Sequence, residues 1–291
     1  MLKKRLVAVL PIKNGVVVQS IGFERYLPIG RPDIAVDFLN RWGIDEIVLL
    51  DIDASAQGRS IDPELVRGAS RVNFVPLTVG GGIRSTCEMK ALLAAGADKI
   101  SINLAAISDS ELIKRGAEMF GNQCIIVSMD VRASGNGKYE VFSDSGARAT
   151  GLDPFNYAKE VERLGAGEIF LTSIDRDGRK LGYDLKLAEL ISDAVNIPVI
   201  ICGGVGHPQH FVDGMRIANI SGVAAGNFFQ FSEHSPVAAK SFIQKNGFSN
   251  LRLDTYATYR ENHFDGDGRL ARKTESELES LFFEFHPKEV I

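Results

Sequence analysis

Asp51, Asp130 and Asp177 stand at or just past the ends of short strand-like runs, pointing toward one mouth. A carboxylate held there can take or give a proton in enolisation or ring closure, provided an enclosed site tunes its pKa. Glycines mark comparable places: Gly80-Gly81-Gly82-Ile83-Arg84 follows one run, Gly203-Gly204-Val205-Gly206 another, and Asn103 and Gly226-Asn227 close two more. Without a Cβ in the way, their N–H groups can approach an anion, and nearby helix N-termini add partial positive charge. Two such sets imply two phosphate sites and a ligand with a phosphate at each end. A third group lies at the strand starts. Arg5, Glu46, Lys99 and Glu168 each open a run, and four charges of alternating sign there would satisfy one another as a ring. Spacing alone leaves two readings open, a salt-bridged plug or a gate over an axial path.

The elements that must position these residues are duplicated. Asp45 to Ser55 reappears as Gly167 to Asp177, an offset of 122 positions, and Val79-Gly-Gly-Gly82 matches Ile201-Cys-Gly-Gly204. Such a repeat governs the architecture. Eight strands are expected at about 5–10, 46–51, 74–79, 99–103, 124–130, 168–173, 198–202 and 222–226, alternating with amphipathic helical segments. Two sets of four close most simply into a (β/α)8 TIM barrel, built as a two-fold repeat of half-barrels, over residues 1–253. An open doubly wound sheet would not explain a four-strand repeat, and the chain lacks a Gly-x-Gly-x-x-Gly turn. Aligning Ile125-Ile-Val-Ser-Met-Asp130 with Leu6-Val-Ala-Val-Leu-Pro11 sets Pro11 opposite Asp130. Proline titrates nothing, so half of any two-carboxylate apparatus is missing.

Composition narrows the function classes. The 291 residues carry a net charge of −4 and 45% hydrophobic residues, with a pI near 5.8, which gives no basic face for nucleic acid. No apolar run approaches the roughly 20 residues that span a bilayer, and no cleavable leader is evident, so a cytoplasmic location is expected. Cys87, Cys124 and Cys202 are scattered singly and read as buried thiols. His207, His210, His234 and His286 read as ordinary surface residues, and no metal or cofactor is expected. Residues 254–291 form a polar extension. There Thr274 to Phe285 reads as a short acidic helix opened by a capping box, its Leu278, Leu281, Phe282 and Phe285 available for packing on the barrel or on another protein. Asp265-Gly-Asp267 is too short for a calcium loop.

Long motifs carry a resemblance over about residues 1–253: Thr172-Ser-Ile-Asp-Arg-Asp-Gly-Arg-Lys-Leu-Gly-Tyr-Asp184, Thr78-Val-Gly-Gly-Gly-Ile83, Gly96-Ala-Asp-Lys-Ile-Ser-Ile-Asn103 and Gly43-Ile-Asp-Glu46. The chain resembles the cyclase subunit of imidazole glycerol phosphate synthase. In that family a glutaminase docks on the barrel underside, and ammonia travels through the axis to a bisphosphorylated substrate at the mouth. The resemblance implies that Arg5, Glu46, Lys99 and Glu168 form the ammonia gate and that Asp98 meets the partner. It also implies that Gly81, Gly82, Asn103, Asp177, Gly178, Gly203, Gly204, Gly226 and Asn227 hold phosphate and that Asp130 is catalytic.

The mouth departs from the family pattern. The family's catalytic aspartate of the first strand is Pro11, its loop lysine is Gln19, its phosphate-contacting threonines are Leu104 and Arg179, and a serine near the eighth strand gives way to Gly226-Asn227. Loss of one acid–base group costs about 10² to 10⁴ in rate. The expectation is therefore a divergent paralogue that pairs with a glutaminase and passes ammonia onward, by analogy to a sugar amidotransferase acting on a nucleotide sugar for surface polysaccharide. Two alternatives stand beside it: a working cyclase of histidine biosynthesis, and a scaffold that only activates its glutaminase. Whether the chain catalyses anything itself is left open by the sequence.

Overall fold

Runs rich in valine, isoleucine and leucine are buried on both faces, as parallel strands sheathed in helices must be. A computed structural model describes residues 3–230, 235–253, 259, 262–271 and 273–280. Its first half contains β1 (Arg5–Lys13), β2 (Val16–Ile21), β3 (Arg25–Gly30), α1 (Pro32–Arg41), β4 (Glu46–Asp51), α2 (Pro63–Ser70), β5 (Leu77–Gly80), α3 (Thr86–Ala94), β6 (Lys99–Ile102), α4 (Leu104–Ser108) and α5 (Glu111–Phe120). The second half contains β7 (Ile125–Ser134), β8 (Lys138–Ser143), β9 (Arg148–Ala149), α6 (Pro154–Arg163), β10 (Glu168–Ser173), α7 (Leu185–Ser192), β11 (Val199–Cys202), α8 (Pro208–Arg216), β12 (Ile220–Ala225) and α9 (Ser235–Lys245). A final short helix, α10 (Glu275–Glu279), lies in the extension.

Eight of these strands pair in parallel in the order β1, β4, β5, β6, β7, β10, β11, β12, and β12 returns to β1 through Arg5↔Gly222 to Ala8↔Ala225. The sheet closes on itself, so the fold is a (β/α)8 barrel. Helix starts are set locally. Asp62, Ser85, Asp153 and Asp184 cap α2, α3, α6 and α7 by accepting backbone N–H bonds, and proline occupies the first turn of α1, α2, α6 and α8, where a missing N–H costs nothing.

The repeat is visible in backbone contacts. Ile47 N–H donates to Pro76 O, and Ile169 N–H, 122 positions on, donates to Pro198 O. Gly81 packs so closely on Asp51 that an added Cβ would lie 2.5 Å from Asp51 O; at Gly203 the same atom would lie 2.6 Å from Ser173 O. Both glycines have positive φ, +125° and +101°, so each position requires glycine twice over.

The structure corrects the sequence reading in three places. The third barrel strand begins at Leu77 rather than at 74, because Pro76 cannot donate to a ladder and Phe74 turns outward, 88% exposed. Two hairpins went unread: β2–β3 after β1, and β8–β9 after β7. Cys87 is exposed, and Cys124 and Cys202 are only partly buried, so a set of three buried thiols is not what the fold contains.

In the extension, Phe264 bridges Leu270 around a turn in which Asp265 Oδ1 accepts from the N–H groups of Asp267 and Arg269. Phe264 packs edge-on against Phe242 of α9. The expected capping box is present, since Thr274 and Glu277 bond reciprocally at the start of α10. Leu278 is 38% exposed; Leu281, Phe282 and Phe285 lie outside the described residues, as do His234 and His286.

Candidate functional site: a barrel with a charged underside and an altered mouth

Alternation along each strand sends every second side chain into the barrel, and these stack in layers from underside to mouth. At the underside, Arg5 Nη1 meets Glu46 Oε2 at 2.5 Å, and Arg5 Nη2 also bonds Glu168 Oε1. Lys99 Nζ lies 2.9 Å from both Glu46 Oε1 and Glu168 Oε2. The four residues form a closed ring of alternating sign. Thr78 adds a hydroxyl bond to Glu46 Oε1 at 3.1 Å. Burial works against the Arg5 charge, yet Glu168 and Glu46 overcome it and raise its pKa above the ordinary arginine value. Asp98 lies exposed beside the ring, its Oδ2 accepting from Leu77 N–H at 2.8 Å.

Above the ring comes an apolar layer of Val7, Val48, Ile126, Phe170, Ile200 and Ala224. Val9, Leu50 and Cys202 continue it into the floor of the mouth. Burial pushes the Cys202 thiol well above its usual pKa, which keeps it protonated and poorly nucleophilic.

The mouth gathers Asp51, Asp130 and Asp177 into one cavity, along with Pro11 and both glycine sets. Asp130 is pushed up to about 7, chiefly by burial, with Thr172 opposing through a hydrogen bond and Asp177 adding repulsion. Asn103 Nδ2 donates to Asp130 Oδ2 at 3.2 Å and to Ser128 O at 3.0 Å. Asp51 is neutralised by Arg59 at 2.6 Å. Asp177 is also raised by burial, and its Oδ2 accepts from Ser20 Oγ at 2.6 Å and Phe23 N–H at 3.3 Å.

Pro11 fits β1 without breaking a ladder bond. The carbonyls of Leu6 and Ile12 receive N–H groups from Asp45 and Ile52 on the β4 side, so Pro11, of opposite parity, faces β12. That pairing ends at Ala8↔Ala225, three residues earlier. Gln19, in β2, is partly buried and absent from the cavity wall.

The two hairpins roof the mouth, with Ser20, Phe23, Asp144 and Ser145 in its wall. The Asn14-Gly15 turn, with φ of +50° and +78°, returns β2 antiparallel onto β1; such a dipeptide is a strong hairpin signal. Asn227, expected to hold phosphate, lines the cavity and grips the hairpin: its Oδ1 accepts from Ser20 N–H at 3.1 Å and its Nδ2 donates to Ser20 O at 2.7 Å. Gly178 lies under the same peptide, where a Cβ would come 2.5 Å from Ser20 O. Leu104 lines the cavity and Arg179 is exposed beyond it. His207 and His210 are partly buried, and their Nδ1 atoms accept from Gln209 and Gly206 N–H at 2.9 and 3.1 Å. Among the described residues no cluster of potential metal ligands occurs and no helix is long and apolar enough to cross a membrane.

Comparison with known proteins agrees with this architecture. The family described as histidine biosynthesis protein matches residues 5–235. The chain is similar to the Vibrio vulnificus (strain YJ016) protein provisionally named imidazole glycerol phosphate synthase subunit hisF2, with 43% identity over 269 residues covering 92% of this chain and 98% of the relative. A closed eightfold barrel, an internal repeat and a match over most of the length converge on one conclusion: the chain belongs to the histidine biosynthesis protein family, as a divergent barrel of the imidazole glycerol phosphate synthase cyclase type.

Proposed function

We propose that this barrel pairs with a glutaminase at its underside and conducts ammonia along the axis to an acceptor, while its own ring-closing chemistry is impaired. The observation that carries the reading is the contrast between the two ends. The underside ring is complete and fully bonded, whereas the mouth has Pro11 opposite Asp130, where a facing pair of carboxylates would stand. The relative's name associates it with imidazole glycerol phosphate synthase; cyclase barrels of that type pair with a glutaminase, and Asp98, exposed beside the ring, supplies a docking contact. Arg5, Glu46, Lys99 and Glu168 form the gate, which passes ammonia when one salt bridge swings aside. Amidination of a nucleotide sugar for surface polysaccharide, by a third amidotransferase protein, is the destination that fits a conduit with a disarmed mouth. A cytoplasmic setting suits such chemistry.

The test is a reconstituted pair. With its glutaminase bound, the chain should support glutamine hydrolysis but make the imidazole product at least about 100-fold more slowly than a two-carboxylate cyclase. Nitrogen from amide-labelled glutamine should appear in the acceptor's product. Label found only in bulk solvent would reduce the chain to a scaffold. Asp98→Lys should weaken partner binding about tenfold or more without altering the fold, as measured by calorimetric titration.

One observation favours a second reading, a working cyclase. Asp130, held near pH 7 and aligned by Asn103, is poised for proton transfer at neutral pH. Growth of a cyclase-deficient histidine auxotroph on this chain would establish that reading in place of ours.

A further inference from the structure

The repeat makes the two glycine cradles comparable position by position, and they are no longer equivalent. In the first, Gly81 and Gly82 are partly exposed to the mouth and Arg84 stands beside them, its side chain 56% exposed. In the second, the matching Gly203 and Gly204 are buried, and the position matching Arg84 is Gly206. Gly206 N–H is spent on His210 Nδ1. Among the described residues lining the mouth the cations are Arg59 and Arg84, both on the first side; Arg59 is paired with Asp51 at 2.6 Å and Arg84 more loosely with Glu88 at 3.5 Å. The second side carries Asp177 instead.

The hairpins repeat the asymmetry. The β8–β9 hairpin reaches the first side through one bond, Ser145 Oγ to Ile52 O at 3.1 Å. Asn103, the first side's terminal asparagine, turns its amide inward to Asp130 and Ser128. The β2–β3 hairpin, by contrast, is fastened over the second side by two bonds from Ser20's peptide to Asn227, one from Ser20 Oγ to Asp177, and backbone bonds from Gly22 and Phe23 to the same aspartate.

We infer that the chain's own Ser20 peptide occupies the Asp177–Gly178 and Asn227 side of the second cradle, beside Gly203 and Gly204, so that the mouth takes a ligand with a phosphate at one end only, held at Gly81, Gly82 and Arg84. The Ser20 carbonyl takes the Asn227 amide donor that an anion would otherwise use, the Ser20 N–H takes the Asn227 oxygen, and the Asp177 carboxylate repels a second phosphate. This rests on the proposed reading of the mouth as an anion site and deepens it. A bisphosphate would have to break the Ser20 latch before it could seat.

Selenate, a phosphate-shaped anion with an anomalous X-ray signal, tests this in crystals of the full chain. The native protein should show one selenate, at Gly81–Gly82, and the Ser20→Gly, Asn227→Ser double variant should show two. Two selenates in the native protein, one on the Gly203–Gly204 side, or none, would overturn the inference. Amide exchange of the native chain gives an independent reading should the variant fail to fold: Ser20, Gly22 and Phe23 N–H should exchange at least about 100-fold more slowly than Gly15 N–H, and exchange as fast as Gly15 would also overturn it. Arg84→Ala should weaken selenate binding about tenfold or more, whereas undiminished binding counts against the single site. None of these results depends on the glutaminase, whose coupling to the underside is measured separately, so failure of the latch and failure of the conduit reading are distinguishable.

Discussion

Asp130 keeps its proton to unusually high pH because the mouth desolvates its charged form, and this has a thermodynamic signature. Its folded pKa, about 7, lies above the ordinary 3.8, so the folded state binds the proton more tightly than the unfolded chain does. Stability therefore falls as pH rises from about 4 toward 7, and the full penalty is present above 7. Asp130→Asn removes the penalty. The variant should be about 1 to 3 kcal/mol more stable than the parent at pH 8 and indistinguishable from it near pH 4, as thermal midpoints at the two values would show. A variant less stable at pH 8 would contradict the buried, protonated picture. Residue types at the mouth were legible in the sequence, but their partners were not. Asp177 and Asn227 both meet Ser20, 157 and 207 positions away in the chain, which no sequence spacing announces.

Single elements were read best where their pattern is local. Parallel strands announced themselves by apolar runs, and the capping box of α10 was foreseen from Thr274 and Glu277. The first hairpin is legible in Asn14-Gly15 followed by Val16-Val17-Val18, a turn dipeptide and a strand-forming run that the eight-strand repeat does not itself require. The second hairpin carries the same signal in Asn136-Gly137, between β7 and β8, while the β8–β9 turn, with Asp144 and Ser145 at positive φ, has no such dipeptide. At the βα turns the repeat makes a paired prediction. Gly81→Ala and Gly203→Ala should each cost about 2 to 4 kcal/mol in urea unfolding, because both would press a Cβ against a strand-end carbonyl while adopting a strained φ. Costs differing severalfold between the two would show that the half-barrels no longer share this packing.

Across the described residues, the underside gathers the most deeply buried ion pairs. Besides the ring, Lys240 and Asp45 form a fully buried ion pair at 2.7 Å, with Leu6 N–H also bonded to Asp45. It ties α9, near the end of the barrel sequence, to the start of β4. Burial raises the Asp45 pKa despite Lys240, so removing the lysine leaves a poorly solvated carboxylate. Lys240→Met should destabilise the barrel by about 3 to 5 kcal/mol in urea unfolding. Arg5→Ala should cost about 2 to 4 kcal/mol, since Glu46 and Glu168 would then share Lys99 alone. Full retention of stability in either variant would mean that water reaches the underside freely. The eightfold closure and the ring could both be anticipated because strand starts recur at fixed spacing; the one-sided fastening of the mouth could not, because it arises where two copies of a repeat have diverged.

The collar of Val7, Val48, Ile126, Phe170, Ile200 and Ala224 between the ring and the mouth acts as an insulator. An ion forced into such surroundings forfeits its hydration at a cost of many kcal/mol, so electrolyte above and below cannot mix along the axis. In the proposed conduit, a nitrogen donor crossing this collar would do so as neutral ammonia, leaving its extra proton on the underside.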